Sequence, residues 1–215
     1  MQYNLKKIKG DASFREFYRL KKGRNTSIII YSRKDTFKNL IQYIEGDQRF
    51  GGLRRRHRDL VDIWVRKEQR NLARLSKWGL RVPKPLGLNK NVLVMEYLGD
   101  ETSPYPKLRE VLVENPQEVF DELLEFLAVS WQKGKLVHGD FSPYNILWHD
   151  GRACVIDVGQ GVVDSHPKAQ EFLVRDVTRL VEWGQKNGLD VVLADAMYDV
   201  LNMDLSDVEQ VDLPE

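Results

Sequence analysis

Several side chains that could do chemistry lie close together in two neighbouring segments of the sequence. The segment LVHGDFSPYNILW contains His138, Asp140 and Asn145, and the following ACVIDVGQG contains Asp157. A carboxylate such as Asp140 can take or orient the proton of an attacking hydroxyl group. The amide of Asn145 and the carboxylate of Asp157 offer the hard oxygen ligands that Mg²⁺ prefers. The order H-x-D, then N, then D is that of a kinase catalytic loop, so it predicts phosphoryl transfer from ATP.

Each of these residues also has an ordinary structural explanation when it is taken alone. HGD can form a turn with a hydrogen-bonded histidine, and an isolated aspartate on a strand can cap a helix. The full set, in this order after an amphipathic helix, favours metal–nucleotide chemistry instead. We expect His138 to hold the loop by hydrogen bonds rather than to act as a general base.

Length and charge limit the classes of protein to consider. The chain has 215 residues, enough for one large domain or two small lobes, and a formal net charge of +1. That charge gives no overall attraction to nucleic acid or to membranes, so such contacts need a local patch. The N-terminal MQYNLKKIKG lacks an apolar signal core, and no apolar run is long enough to span a bilayer. We therefore expect a cytoplasmic protein with no membrane partner.

The first half of the chain predicts strands and one helix. Residues 14–20 and 27–31 flank the turn-forming KKGRN and predict a β-hairpin. A helix is expected from Asp59, a good N-cap, to about Trp78. An extended connector with two prolines then leads to a buried strand over residues 91–97.

The second half of the chain predicts mostly helix. An amphipathic helix begins at Asn115 and stops at Gly134. After the candidate catalytic loop we expect a strand over residues 153–158, which carries Asp157. Two or three helices follow from Pro167 to the end.

A segment rich in turn formers, residues 99–106, separates these two halves. It is the expected hinge between a first lobe, residues 1–98, and a second lobe, residues 99–215. The predicted fold class is therefore α+β, with a small lobe of antiparallel sheet plus helix and a mostly helical lobe within one domain, residues 1–215.

Six separated motifs resemble the RIO family of atypical protein kinases, nearest its first subfamily. They are IEGDQRF, WVRKEQRNLARL, VLVMEYLGDE, LVHGDFSPYNIL, VIDVGQGV and SHPKAQEFLVRD, and they extend over roughly residues 31–181. The resemblance implies a compact bilobal kinase fold and the use of ATP with Mg²⁺. It also implies serine/threonine kinase or ATPase activity and a link to maturation of the small ribosomal subunit.

The resemblance implies a role for individual residues of the two motifs described first. Asp140 matches the catalytic aspartate, and Asn145 and Asp157 match the residues that bind the metal and the nucleotide. The position of Asp157 can also accept a phosphoryl group as an aspartyl phosphate. The phosphoryl acceptor is then either a protein serine or the chain's own Asp157.

Three further positions take their roles from the same resemblance. Glu96 and Leu98 match the hinge positions that contact adenine through backbone groups. Asp176, in LVRD, matches an aspartate that braces the catalytic loop in kinases, although alone it could be an acid on a helix surface.

The region that should bind the phosphates departs from the family pattern. The family reads STGKEA over the phosphates, whereas this chain has IKGDASF with the single glycine Gly10. The family then places a lysine on a strand, where it contacts phosphates and pairs with a helix glutamate, here Glu68. Alignment on the Ile30-Tyr31 pair puts Ile29 at the lysine position.

Three explanations of the missing lysine are open. Another cation, such as Lys34, Lys38 or Lys67, can reach the phosphates from a different position. The protein can bind ATP weakly and turn it over slowly. It can also be a pseudokinase, a nucleotide-binding scaffold with little activity.

The N-terminal stretch GDASFREFYRL carries a second resemblance. It is similar to aminoglycoside-phosphotransferase-like sugar kinases, including cell-wall amino-sugar kinases, over about the first thirty-five residues. This similarity keeps a small-molecule kinase acting on an amino sugar or aminoglycoside as the alternative. The mixture indicates either a divergent RIO member or a hybrid sequence that is not a natural orthologue of either family.

One dense cluster of positive charge precedes the first predicted helix. Arg54, Arg55, Arg56 and Arg58 could contact phosphates of ribosomal RNA or of a pre-ribosomal particle. The alternatives are a solvated flexible loop or recruitment of phosphate inside the active-site cleft.

Overall fold

The computed structural model describes residues 3–8, 15–23, 25–32, 43 and 57–212. Gly10, Lys34, Lys38 and the run 54–56 lie outside these residues. The strands are β1 Tyr3–Ile8, β2 Arg15–Lys22, β3 Asn25–Ser32, β4 Pro85–Asn89, β5 Val92–Glu96, β6 Leu136–Val137, β7 Ile146–His149, β8 Arg152–Val155 and β9 Val162–Val163. The helices are α1 His57–Ser76, α2 Pro116–Gln132, α3 Ala169–Lys186 and α4 Leu193–Asn202.

Five antiparallel strands form the sheet of the first lobe, in the order β1-β2-β3-β5-β4. The predicted hairpin is confirmed as β2 and β3, and the predicted buried strand is confirmed as β5. The connector with two prolines was only partly right, because its last residue, Pro85, begins β4. A proline is tolerated there because β4 lies at the edge of the sheet.

Helix α1 packs against this sheet and confirms the helix expected from Asp59, with its start two residues earlier, at His57. Its apolar side chains Val61, Trp64 and Leu72 are buried in the main core. Three polar side chains of the same helix, Lys67, Glu68 and Asn71, are buried as well. A helix that buries polar groups needs partners for them, and these partners lie at the candidate site.

The second lobe is mostly helical, so the predicted α+β bilobal fold is confirmed. Asn115 is the N-cap of α2, and its side chain accepts a hydrogen bond from the backbone N–H of Glu118 at 3.4 Å. In the expected hinge, Gly99 and Pro104 form an isolated bridge that closes the turn. The division of one domain at residues 98 and 99 stays a prediction.

The strand predicted over residues 153–158 is too long, because β8 ends at Val155. Its pairing with β7 stops where Ile146 lies opposite Val155. Asp157 therefore follows the strand, and its backbone is left-handed, with φ 60° and ψ 55°. A short 3₁₀ turn, Val158–Gln160, comes directly after it.

None of the described helices is long and apolar enough to cross a membrane.

The turn after Asp157 packs tightly on α1. A Cβ atom added to Gly159 would lie 2.8 Å from Nε1 and 3.1 Å from Cε2 of Trp64. Trp64 is itself buried, so its rigid indole cannot move aside. Gly159 is therefore required by close packing between the helix and the turn.

We predict that Gly159→Ala lowers the free energy of unfolding by about 2 kcal/mol, because the added methyl group overpacks this contact. Urea unfolding of the purified variant measures the change. Gly87→Ala is the matched control, since a Cβ there would lie 4.0 Å from Val94 Cβ, an ordinary contact distance. Equal stability of the two variants would contradict the packing explanation.

Candidate active site

A cleft lies where the sheet of the first lobe faces the segments around β7 and β8. Its apolar wall comes from side chains of both lobes, and its polar end holds two carboxylates, a guanidinium and an amide. The apolar residues include Phe17, Ile28, Ile30, Met95, Leu147 and Ile156, and the polar residues include Arg15, Glu68, Asn145 and Asp157. Convergence of a few polar groups at one end of an apolar cleft is typical of ligand sites.

Asp140 and Asn145 are in direct contact within the candidate catalytic loop. The side-chain Nδ2 of Asn145 donates to the backbone oxygen of Asp140 at 2.9 Å and to its Oδ2 at 3.2 Å. Gln160 also donates to Oδ2 at 3.2 Å, and Arg179 of α3 donates to Oδ1. The carboxylate is thereby oriented from several sides, which general-base or positioning chemistry requires.

Two buried residues hold this loop in place. The carboxylate of Asp176 accepts the backbone N–H groups of Gly139 at 2.7 Å and Phe141 at 3.0 Å. Burial raises the pKa of Asp176. His138 accepts the N–H of Asp140 at 3.2 Å through Nδ1, and its Nε2 lies 3.1 Å from the carbonyl oxygen of Ile156. The bracing contact expected of Asp176 is present, and His138 has the structural role that the sequence indicated.

Asp157 forms a two-point ion pair with Arg15 of β2. The distances from the guanidinium to the two carboxylate oxygens are 2.8 and 2.5 Å. Burial by itself would raise the pKa of Asp157, but the pKa is lowered overall, chiefly by the charge and hydrogen bonds of Arg15 and further by nearby positive charge that includes Lys107. The left-handed backbone of Asp157 costs on the order of 1 kcal/mol, and aspartate is one of the residues that tolerates it.

The same guanidinium contacts a second carboxylate, on α1. Arg15 Nη1 lies 3.5 Å from Oε1 of Glu68, and the Glu68 side chain is 3% exposed. Burial raises the pKa of Glu68 to about 7, since the attraction of Arg15 only partly offsets burial and the nearby charge of Asp157 raises the value further. One arginine therefore links β2, α1 and the segment after β8.

The structure corrects two expectations about the missing lysine, namely that Ile29 occupies its position and that Lys67 can replace it. The β3 side chains that line the cleft are Ile28 and Ile30, and Ile29 alternates with them, so it points to the other face of the sheet. Lys67 is not directed at the cleft, because it donates to the carbonyl oxygens of Gly159 at 3.3 Å and Gln160 at 3.2 Å.

Arg15 is a charged cleft residue that sequence reasoning missed, and Lys107 is another. The neighbourhood of Arg15 carries the resemblance to sugar kinases, and the family pattern places the cation on β3 instead. The usable signal was the alternation along β2, where Arg15 and Phe17 share one face, and where Phe17 lies opposite Ile30 of β3.

The two hinge positions predicted to contact adenine both line the cleft. The backbone N–H of Glu96 donates to the carbonyl oxygen of Lys84 at 2.8 Å. The carbonyl oxygen of Leu98 accepts the N–H of Tyr105 at 3.1 Å. Gly10, the remaining predicted nucleotide contact, lies outside the described residues.

The donor set of the cleft fits Mg²⁺ bound together with a nucleotide. Asn145 and Asp157 supply an amide oxygen and a carboxylate on one wall. Within the described ranges no group of three or more His, Cys, Asp or Glu residues could hold a metal by itself. Mg²⁺ commonly needs only one or two protein oxygens and completes its shell with phosphates and water, so these two ligands suffice.

A lobe built on an antiparallel sheet and a mostly helical lobe that carries Asp140 and Asp157 together define a bilobal kinase-like fold. A family model for the RIO domain matches residues 17–197, and the chain belongs to the RIO family. It is 41% identical over 168 residues to the RIO-type serine/threonine-protein kinase Rio1 of Haloferax volcanii, and 38% identical over 154 residues to that of Thermoplasma acidophilum. It is also 37% identical over 163 residues to the human serine/threonine-protein kinase RIO3.

The coverage of these relatives differs. The matches span 78%, 72% and 74% of this chain, but 57%, 81% and 31% of the Haloferax, Thermoplasma and human proteins. Among solved structures, the chain resembles the Rio2 kinase–ADP/Mg²⁺–phosphoaspartate complex from Chaetomium thermophilum with a TM-score of 0.67 and 19% identity. That likeness covers 95% of this chain and 63% of the other, and it supports the fold.

We predict that Glu68→Gln changes how stability depends on pH. The pKa of Glu68 is about 7 in the folded protein and 4.5 in its ordinary state, so the folded state binds more protons between these values. The wild-type protein should therefore lose stability as pH rises from about 4.5 to above 7, by on the order of 3 kcal/mol, and the variant should not. Urea unfolding at pH 5 and pH 8 measures this difference, and parallel pH profiles of the two proteins would contradict the prediction.

Proposed function

We propose that this protein transfers a phosphoryl group from ATP in the presence of Mg²⁺, as a RIO-type serine/threonine protein kinase or ATPase. The observation that carries the proposal is the meeting of Asp140, Asn145 and Asp157 beside one apolar cleft. Asp140 and Asn145 share hydrogen bonds, and Asn145 and Asp157 line the same wall. Family membership and the names of the relatives support the same activity.

Each of the three residues has a distinct role in this proposal. Asn145 and Asp157 would hold Mg²⁺, which when bound neutralises phosphate charge. Asp140 accepts or orients the proton of the acceptor hydroxyl, and the contacts from Arg179 and Gln160 aim its carboxylate. Asp176 holds the backbone on both sides of Asp140, so it positions the base without touching substrate.

The nucleotide would lie with adenine against the hinge. Backbone groups of Glu96 and Leu98 are the proposed polar contacts, and Ile28 and Met95 supply apolar surface in the same cleft. The proposed role of Gly10 over the phosphates rests on the sequence alone.

Two kinds of acceptor follow from the family. One is a serine of a protein substrate, which agrees with the names of the relatives. The other is the chain's own Asp157, and the Rio2 complex from Chaetomium thermophilum is a phosphoaspartate complex of that protein. Phosphorylation of an amino sugar or aminoglycoside is the competing outcome.

The proposed partners beyond ATP are ribosomal. We propose contact with ribosomal RNA or a pre-ribosomal particle through Arg54, Arg55, Arg56 and Arg58, and a cytoplasmic role in maturation of the small subunit. The support is the density of positive charge in the sequence and the family's association with the ribosome.

We predict that the purified protein releases ADP from ATP with Mg²⁺ and that this release depends on both acids. Asp157→Asn should abolish it, because the charged metal ligand is lost. Asp140→Asn should lower kcat by about a hundredfold or more, because the acceptor proton loses its base. Asp121→Asn, a change on the exposed face of α2, is the control and should leave the rate unchanged.

A phosphate-transfer assay on the same protein preparation distinguishes the possible phosphoryl acceptors. Labelled phosphate should appear on protein and not on an aminoglycoside or amino sugar. Absence of ADP release by the wild-type protein, or transfer to the sugar alone, would contradict the proposed protein-kinase activity.

We predict that binding to ribosomal RNA weakens steeply with salt. Replacing Arg54, Arg55 and Arg56 by Gln should reduce the slope of log affinity against log salt by about 2 to 3, because up to three phosphate contacts are lost. Filter binding across a salt series measures the slope. An unchanged slope would remove these arginines from any RNA contact.

A further inference from the structure

Strand β3 brings no positive charge to the cleft. Between Asn25 and Ser32 it contains neither lysine nor arginine, and its side chains on the cleft wall are Ile28 and Ile30. A nucleotide bound there would place its phosphates near Asp157 and Glu68, two carboxylates that repel them. A cation from another element is needed to make phosphate binding favourable, and among the described residues that line the cleft the cations are Arg15 and Lys107. Of these two, Arg15 is the one that contacts both Glu68 and Asp157.

Arg15 meets the positional requirement from the neighbouring strand. It lies on β2 opposite Ser32, and the next cleft-facing residue of β2, Phe17, lies opposite Ile30. The Arg15 side chain is 7% exposed, and its guanidinium lines the polar end of the cleft. The cation thus reaches the site from β2, the strand next to β3, where the family carries its lysine.

Arg15 contacts the glutamate with which the family's lysine is expected to pair, and it also contacts the proposed metal ligand. It contacts Glu68 of α1 at 3.5 Å, the glutamate assigned to the lysine–glutamate pair. It also holds both oxygens of Asp157, the proposed metal ligand. A lysine offers three N–H donors from one point, whereas the planar guanidinium offers five and so can bridge several acceptors at once.

We propose that Arg15 is the phosphate-binding cation of this nucleotide site and replaces the β3 lysine of the family. This inference rests on the proposed function, because it assumes that the cleft binds ATP. On nucleotide binding, Arg15 keeps its contact with Glu68 and donates hydrogen bonds to phosphate oxygens, while Asp157 becomes available to the metal. Nothing covalent changes at Arg15.

The test compares nucleotides with and without phosphates. Arg15→Met keeps the aliphatic stem and removes the charge. Isothermal titration calorimetry in EDTA, with no metal present, should show that ATP and ADP bind the variant at least tenfold more weakly than the wild type. Adenosine should bind both proteins within twofold, because its contacts lie at the hinge.

Three further variants control the experiment. Lys21→Gln removes a cation from the same face of β2 that pairs with exposed Glu101, and ATP affinity should not change. Arg15→Lys restores the charge and should bind ATP more tightly than Arg15→Met. The double variant Arg15→Met/Glu68→Gln removes an anion together with the cation. It is used in place of Arg15→Met if Arg15→Met does not fold. In the double variant the affinities for ATP and ADP should also fall at least tenfold.

The outcomes distinguish this proposal from the proposed function. If the wild type binds ATP but Arg15→Met, or the double variant in its place, binds it equally well, Arg15 is not the phosphate cation and the kinase proposal stands. Equal weakening of ATP and adenosine would also overturn the role of Arg15, because it would indicate a distorted cleft. If the wild type binds neither ATP nor ADP, both in EDTA and in a second titration with Mg²⁺, the proposed function itself fails.

Discussion

The site depends on one guanidinium placed between two buried carboxylates. Glu68 and Asp157 come from different elements, and both side chains are largely removed from water. Two buried anions without a cation would force one of them to take up a proton or the elements to separate. Arg15 prevents this for Asp157, and it leaves Glu68 with its pKa raised to about 7. The contact therefore fixes β2, α1 and the residue after β8 relative to one another.

A second set of contacts holds the same elements without using Arg15. Asn71 of α1 donates to the carbonyl oxygens of Val158 at 2.8 Å and Gly161 at 2.9 Å, and buried Lys67 donates to the carbonyls between them. These bonds satisfy the carbonyl groups of a turn that the helix covers. The left-handed conformation of Asp157 is thereby maintained by its neighbours along the chain. Loss of the Arg15 charge should consequently affect ligand binding more than the path of this turn.

The local sequence pattern was sufficient to predict those helices and strands whose signals lie within a few residues of one another. The hairpin, α1, α2 and β5 follow from turn residues, caps and apolar periodicity. Strand β4 resembles a connector in sequence because it begins with Pro85 and contains Gly87, and its identity comes from pairing with β5. The end of β8 before Asp157 likewise depends on where its partner strand stops.

The residues of the candidate site likewise fall into those that sequence spacing brings together and those that only the tertiary fold brings together. Asp140 and Asn145 lie five residues apart, so one loop brings them together and sequence spacing is informative. The contact of Arg15 with Asp157 spans 142 positions and depends on strand register, helix placement and the turn after β8. The family pattern places its cation at the position of Ile29, which points away from the cleft. Of the substitutes considered from the sequence, Lys67 binds backbone carbonyls, and Lys34 and Lys38 lie outside the described residues.

The two proposed catalytic acids, Asp140 and Asp157, are each held by an arginine, and the two ion pairs differ in their exposure to water. Arg15 and Asp157 are 7% and 16% exposed, whereas Arg179 and Asp140 are 35% and 32% exposed. The buried pair lies at the end of the apolar cleft, where a nucleotide would exclude water. The exposed pair lines a separate groove with Ser142, which solvent and an acceptor can reach. An ion pair in contact with water exchanges partners at little cost, so an incoming hydroxyl can replace Arg179 at Asp140 easily. Release of Asp157 from Arg15 would instead need a ligand that offers both groups new charged partners, as phosphates with a metal would. Under the proposed function, the nucleotide would therefore bind on the sheet side and the acceptor on the side of α3.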